Sequence, residues 1–398
     1  MRDEPAAERP AVVAALRTPI GTAGHAFKQV GAAALAAPVL AALAEQAAPA
    51  GVPVGDVVLG NCTGPGGNLA RVAALAAGLG HEVPGLTVDR QCGSGLAAIL
   101  VAAHAVAAGA TDLVLAGGVE SASTAPLRAH RDPAGLAGSA APGDLAAAVP
   151  YARAPFTPDG HPDPDMGPAA EALAAACGVT RDRQDAYACR SHARALAARQ
   201  AGRFAREIVG VGGRTDDQRP RALRMETLAR LPAAFVPGGT VTAGNSSPIS
   251  DGAAAVAVVA DRVRAAAGLP GLRLVAGSVV GCDPELPGWG PVPAVRRVLE
   301  RSGADLGDVA AVEIVEAFAA QTLAACDGLG LDVLGADGGR VCADGGALAL
   351  GHPWGASGAV AVVRLFSRLV GQAPPGTLGL ATAAVGGGLG VAALFEVV

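Results

Sequence analysis

The stretch "TDLVLAGGVES" (111–121) has no alternation of polar and apolar residues. A strand that is apolar on both faces must be covered on both, which restricts it to the interior of an α/β sandwich. Runs of the same texture recur at 11–16, 56–62, 86–89 and 271–281, and as two closing strands in "GLATAAVGGGLGVAALFEVV" (379–398), and regular texture also returns at 239–260. Between them lie helical stretches at 31–48 and 68–79, and another from the "CGSG" turn to about 109. Alternating strands and helices predict an α/β fold with a sheet buried on both sides.

The pattern also repeats. "QCGSGLAAILVAAHAVAAGATDLVLAGGVES" and "GHPWGASGAVAVVRLFSRLV…GLATAAV" each place a small-residue turn and a helix ahead of a buried strand. Such self-similarity predicts two halves related by duplication and facing each other. The turn with Cys92 would then meet the turn with His352. Glycines around Cys92 allow close backbone approach, and a helix N-terminus lowers a thiol pKa, so a reactive thiolate is expected there. A small buried residue at a crowded turn explains Cys92 as well, and a packing histidine explains His352. Two such turns in duplicated halves favour a Cys–His pair.

Residues 122–242 differ in texture. Pro, Gly, Asp and Arg are frequent, "RDPAGLAGSAAPGD" and "FTPDGHPDPDMG" read as loops, and a helical block follows. This predicts three parts: 1–121 with 243–270, an inserted loop domain at 122–242, and 271–398.

Composition narrows the function. With 398 residues, 51% of them hydrophobic, the chain builds a large core, but aromatics are only 3%, so Ala, Val and Leu must fill it. Charged residues make up 16% and the net charge is -5, which does not suit nucleic-acid binding. Lys28 is the one lysine, so a Schiff-base mechanism would rest on it alone. The seven scattered cysteines include no CxxC, which fits neither a disulfide scaffold nor a metal site. The charged opening "MRDEPAAERP" is unlike a signal peptide. The most apolar run, 31–44, is interrupted by Pro38 and ends at Glu45, short of a spanning helix. A soluble cytoplasmic protein that meets neither membrane nor nucleic acid is expected.

"VDRQCGSGLAAI", "AGGVESAS", "DPDMGPAAE", "GTVTAGNSSPISDGAAA", "VEAFAAQ", "GGALALGHPWGASGA" and "GLATAAVGGGLGVA" follow one another in the order seen in thiolases. The chain resembles thiolase-family acyl-CoA acyltransferases over nearly its whole length. The resemblance implies a five-layered α-β-α-β-α sandwich of two βαβαβαββ halves with an inserted loop domain, assembled as a homodimer or homotetramer. It implies coenzyme A thioesters as substrates, with no permanently bound cofactor. Cys92 matches the nucleophile, His352 the histidine that activates it, and Gly386 a backbone oxyanion donor. Ser247 matches a serine that bonds pantetheine, and Phe235 an aromatic beside its tunnel. Met166 matches a methionine of the acyl pocket. Arg219 falls near an arginine by the adenine and phosphates, within one or two positions, and a solvated surface explains the Arg-rich run 214–230 equally well.

The chain departs from the family in several places. Val315 stands where an asparagine usually holds the enolate-stabilising water, and one lost oxyanion donor typically costs ~10²–10³ in rate. Ala384 stands where a second cysteine moves the α-proton. Asp89 replaces an asparagine and would raise the Cys92 pKa. Cys342 and Asp344 are candidates for the missing acid/base, with a buried inert thiol as the other reading of Cys342. Glu316 is expected to orient His352 or its backbone, or to cap the following helix. The segment 122–170, which would set chain length, matches the family least. Three readings stay open: Claisen condensation or thiolysis through an acyl-Cys92 enzyme, transfer to a decarboxylative or heteroatom acceptor, and a catalytically quiet partner subunit.

Overall fold

The computed structural model describes residues 9–131 and 148–398. The expectations for residues 1–8 and for the loop at 132–144 lie outside the described residues.

The first half holds β1 (Pro10–Arg17), β2 (Gly21–Thr22), α1 (Ala32–Ala47), β3 (Asp56–Gly60), α2 (Leu69–Ala76), β4 (Leu86–Val88), α3 (Ser94–Ala107) and β5 (Leu113–Ser121). A less regular stretch carries the hairpin β6 (Arg128–Arg131) and β7 (Ala148–Tyr151), then α4 (Met166–Cys177), α5 (Arg181–Gln200) and α6 (Met225–Leu228). β8 (Ser250–Ala260) and α7 (Asp261–Ala266) return to the first half. The second half follows with β9 (Leu272–Gly281), α8 (Pro291–Ser302), β10 (Val309–Ile314), α9 (Ala319–Gly328), α10 (Ala347–Leu350), α11 (Trp354–Leu369), β11 (Leu378–Val385) and β12 (Leu389–Val397).

Strand order shows the duplication. One half runs β1-β8-β5-β3-β4 and the other β9-β12-β11-β10. In each, the first two pairings are antiparallel and the next is parallel: β1/β8, β8/β5 and β5/β3 against β9/β12, β12/β11 and β11/β10. The halves join through a short antiparallel seam, Ala11 opposite Arg273 and Val12 opposite Leu272. β5 and β8 are buried along their whole length, as strands without polar alternation require.

Helices α3 and α11 form the middle layer. They pack on each other and reach strands of both halves. α1 covers β5 and β8 from one outer side, and α8 covers β9 and β12 from the other. The result is the α-β-α-β-α sandwich. Small residues make it possible: a Cβ on Gly95 would stand 2.8 Å from Ala359 N and 2.9 Å from Gly355 O, so α3 and α11 meet backbone to backbone.

One expectation changes. The helical run Ala32–Ala50 reaches the length and mean hydropathy (1.3) of a membrane-spanning segment, although the sequence suggested a shorter one. Pro38 lies inside α1 and does not end it. Leu35, Leu40 and Leu43 are buried in the core, so the apolarity of α1 is used against the sheet.

Candidate active site

Cys92 sits in a 3-10 turn, Gln91–Gly93, that leads directly into α3. The preceding residue, Gln91, takes a left-handed φ of 44°. Three contacts hold it there. Gln91 N donates to Asp89 Oδ1 (2.8 Å), and Gln91 O accepts from Ser94 Oγ (2.7 Å) and from Cys62 Sγ (3.2 Å). The turn packs on α11 and on β11. Val385 Cγ2 would lie 2.7 Å from a Cβ on Gly93, which places the end of β11 against the residue next to Cys92.

His352 reaches the same region from the other half. Its segment runs beside Ile249 in a parallel bridge, and His352 N donates to Ser250 Oγ at 3.1 Å. Gly351 has φ of 120°, and a Cβ there would lie 2.6 Å from both Ile20 Cγ2 and Ser250 Oγ, so only glycine lets the chain turn here. His352 is buried, and its Nδ1 lies 2.6 Å from Ser357 Oγ. The Ser357 hydroxyl donates to Pro353 O at 2.9 Å. With its one proton so used, Ser357 accepts from Nδ1–H, which assigns the Nδ1–H tautomer. Nε2 then carries a lone pair, and it is buried without a hydrogen-bond partner. Burial also lowers the imidazole pKa to about 4, so it is neutral near pH 7.

The thiol behaves differently from the sequence expectation. Burial pushes Cys92 up to about 12; its own backbone N–H pulls down, while the Glu120 and Asp89 carboxylates push up. Desolvation and two negative charges outweigh the helix N-terminus. The two side chains therefore rest as a thiol and a neutral imidazole, not as a thiolate and an imidazolium. The expected effect of Asp89 has the predicted sign.

The other candidates divide. Ser247 N donates to Ala317 O (3.0 Å), and Ser246 pairs with Phe318. Phe318 meets Phe235 edge-to-face at 5.8 Å, and the Phe235 ring lies where a Cβ of Gly167, next to Met166, would be (2.2 Å). Ser247, Phe235 and Met166 thus border one region, with Phe318 between them. Gly386 lies under Phe156, whose Cε2 is 2.9 Å from the position of a Cβ. Val315 borders a cavity of ≈ 20 Å³ with Gly351 and Ser357, beside the His352 turn, and offers it no hydrogen bond. Ala384, on β11 one residue before Val385, pairs with Gly390 on β12.

Four candidates have buried or backbone partners of their own. Glu316 bonds neighbouring backbone and two side chains of α5. It accepts from Tyr187 Oη (2.7 Å), Ser191 Oγ (2.7 Å) and Leu348 N (3.2 Å), so it ties α5 to α10 and caps α10 rather than α9. Cys342 is buried with φ of 41°, its Sγ is 3.4 Å from Ile314 O, and burial raises its thiol well above the ordinary value. Asp344 is buried and paired with both Arg203 and Arg364, which commits it as a structural carboxylate. Arg219 turns inward, with Nε 3.4 Å from Leu348 O, and burial together with Arg221 lowers it to about 10.

Sequence reading missed Glu120. It is fully buried at the end of β5, and five donors converge on it: Asn61 Nδ2 (3.1 Å), Cys62 N (3.1 Å), Thr63 N (3.0 Å), Thr63 Oγ1 (2.5 Å) and Gly355 N (3.0 Å). An acidic residue closing an otherwise apolar strand, in "AGGVES", was the available signal.

The thiolase N-terminal domain family matches residues 10–262, and the thiolase C-terminal domain family matches 270–397. The chain belongs to the thiolase family. Thiolases are acyltransferases, and this one is similar over its length to a putative acetyl-CoA C-acetyltransferase, YhfS, of Bacillus subtilis (strain 168). The two are 39% identical over 390 residues, covering 97% of this chain and 98% of the relative. An acetyl-CoA acetyltransferase of Syntrophomonas wolfei is 38% identical, with 97% and 98% covered. Among solved structures, the Bacillus anthracis acetyl-CoA acetyltransferase superposes with a TM-score of 0.85 at 36% identity, covering 98% of this chain and 99% of that one.

Proposed function

We propose that this thiolase uses coenzyme A thioesters, takes the acyl group on Cys92 and transfers it to a second thioester or to free coenzyme A. The observation that carries the proposal is the buried, unpartnered Nε2 of a neutral His352, on a turn whose helix packs against the Cys92 turn. As Cys92 Sγ attacks the thioester carbonyl, its proton passes to Nε2, and the imidazolium returns it to the departing coenzyme A sulfur. Ser357 holds the ring through Nδ1. The backbone of Gly386 faces the developing oxyanion. The described residues of 122–242 supply the coenzyme A platform beside the two halves of the fold (1–121 with 243–270, and 271–398). Ser247, Phe235 and Met166 border the pantetheine and acyl path. The phosphate contact belongs to exposed Arg221, two residues beyond the inward-turned Arg219. The working assembly is a cytoplasmic homodimer or homotetramer.

Mass spectrometry after incubation with acetyl-CoA tests the first step. An acetyl group on the Cys92 peptide is expected, strongly reduced in His352→Gln, and an unmodified Cys92 with every short and medium acyl-CoA overturns the proposal. Val315 and Ala384 make enolate formation the weak step, since neither side chain hydrogen-bonds or carries a proton. Ala384→Cys is expected to raise methyl deuterium exchange of acetyl-CoA by roughly a hundredfold, the lower end of the usual ~10²–10⁴ range for an acid/base group. Exchange unchanged by this substitution would favour a malonyl-type or heteroatom acceptor.

A further inference from the structure

The two turns of the site belong to different halves, and Glu120, at the end of β5 in the first half, bonds across to α11 in the second. Its Oε2 accepts from Gly355 N, in the first turn of α11 and three residues after His352, and from Cys62 N in the turn after β3. Its Oε1 accepts from Asn61 Nδ2, Thr63 N and Thr63 Oγ1. The Cys62 turn continues the path, because Cys62 Sγ donates to Gln91 O beside Cys92. One carboxylate thus links the α11 N-terminus, whose dipole favours an anion, to the strained residue that presents the thiol. A carboxylate has about four lone-pair sites, so five donors saturate it and fix its orientation.

We propose that Glu120 is a positioning residue for acyl transfer: it holds the His352 helix in register with the Cys92 turn and sets the negative field against which the Cys92 thiol is deprotonated. Burial, with this field added to it, keeps the thiol protonated until a thioester arrives, so the proton leaves when Nε2 can receive it. This role rests on acyl transfer through Cys92. Other titratable or charged groups around the thiol are Asp89 and Arg90 on its own segment, Cys62 in the turn after β3, Arg128, which donates to Cys62 O, and His352 at the head of α11.

Two substitutions test it by shifts in opposite directions. Glu120→Gln removes the charge and keeps an acceptor. Thr63→Val removes the shortest donor and leaves the charge less screened. The readout is the pH dependence of iodoacetamide alkylation of the Cys92 peptide, followed by mass spectrometry. This measurement needs no turnover, so it stands apart from failure of the acyl-transfer proposal. The alkylation midpoint is expected to move to lower pH in Glu120→Gln and to higher pH in Thr63→Val. Turnover in Glu120→Gln is expected to fall by roughly tenfold or more with KM for acyl-CoA little changed, the signature of a group that acts in the transition state. A wild-type midpoint in both variants overturns the proposal, even if turnover falls, because a purely structural carboxylate would slow the enzyme without moving the thiol. If Glu120→Gln does not fold, Thr63→Val decides alone: Thr63 is partly exposed, and an unmoved midpoint there overturns the proposal.

Discussion

At the scale of single residues, the site depends on where each ionisable group is solvated. Cys92 and His352 are displaced in opposite directions by the same cause, burial, which disfavours charge on either. The histidine has a measurable consequence for stability. Its pKa is about 4 in the folded chain against 6.5 ordinarily, so between these values the unfolded chain binds the extra proton. Stability therefore falls as pH drops from about 6.5 to about 4, by up to about 1.4 kcal/mol per pH unit for this one proton, and levels off below. His192, lowered to about 3 by burial and by Arg219 and Arg221, adds a second proton of the same sign. Urea unfolding at pH 7, 6 and 5 should show this slope, reduced by about one proton in His352→Asn; an identical slope in the variant would contradict the assignment. Cys92 and His352 were legible in the sequence because glycines mark their turns. The net direction of the thiol shift was not, because it depends first on burial, with Glu120, twenty-eight positions away in the chain, adding to it.

At the scale of elements, the contact between α3 and α11 governs the site. Both helices begin at a candidate catalytic turn, so their separation sets how the two turns meet. Gly95 lies against the α11 backbone, and Gly358 answers it, with a Cβ there 2.6 Å from Leu96 N. Backbone cannot yield as a side-chain tip can. Gly95→Ala is therefore expected to cost about 1–3 kcal/mol by overpacking and to lower activity further by separating the turns. Chemical denaturation and turnover of the same preparation check this, and a loss below about 0.5 kcal/mol would show that the helices have room. The small-residue helices and unpatterned strands were readable as elements, since period and apolarity are local. Some bounds hold closely: the run at 11–16 is Pro10–Arg17, and that at 271–281 is Leu272–Gly281, whereas the stretch at 239–260 is a strand only over Ser250–Ala260.

At the scale of the whole molecule, a chain of buried charges joins segments far apart in sequence. Arg17 on β1 pairs with Glu207 (2.7 Å) and Asp217 (2.7 Å), Glu207 pairs with Arg364 on α11, and Arg364 pairs with Asp344, which also meets Arg203. Phe204 lies against the guanidinium groups of Arg17 (5.3 Å) and Arg364 (4.8 Å). Removing one member strands the others without solvent, so Arg364→Met is expected to cost about 3–5 kcal/mol. Limited proteolysis should then cut between 203 and 217 first, and wild-type stability would mean that the network is dispensable. The sequence by itself determined the layered α/β class, the duplication and the family, and marked two candidate turns, because periodicity, glycine placement and ordered motifs are written along the chain. Only the tertiary structure decided that Asp344 and Glu316 lie among partners of their own, that Arg219 bonds the Leu348 carbonyl and that Glu120 joins the α11 N-terminus to the Cys62 turn. The role of a charged side chain depends on its partners and on the water it loses, and both are supplied by residues brought together only when the chain folds.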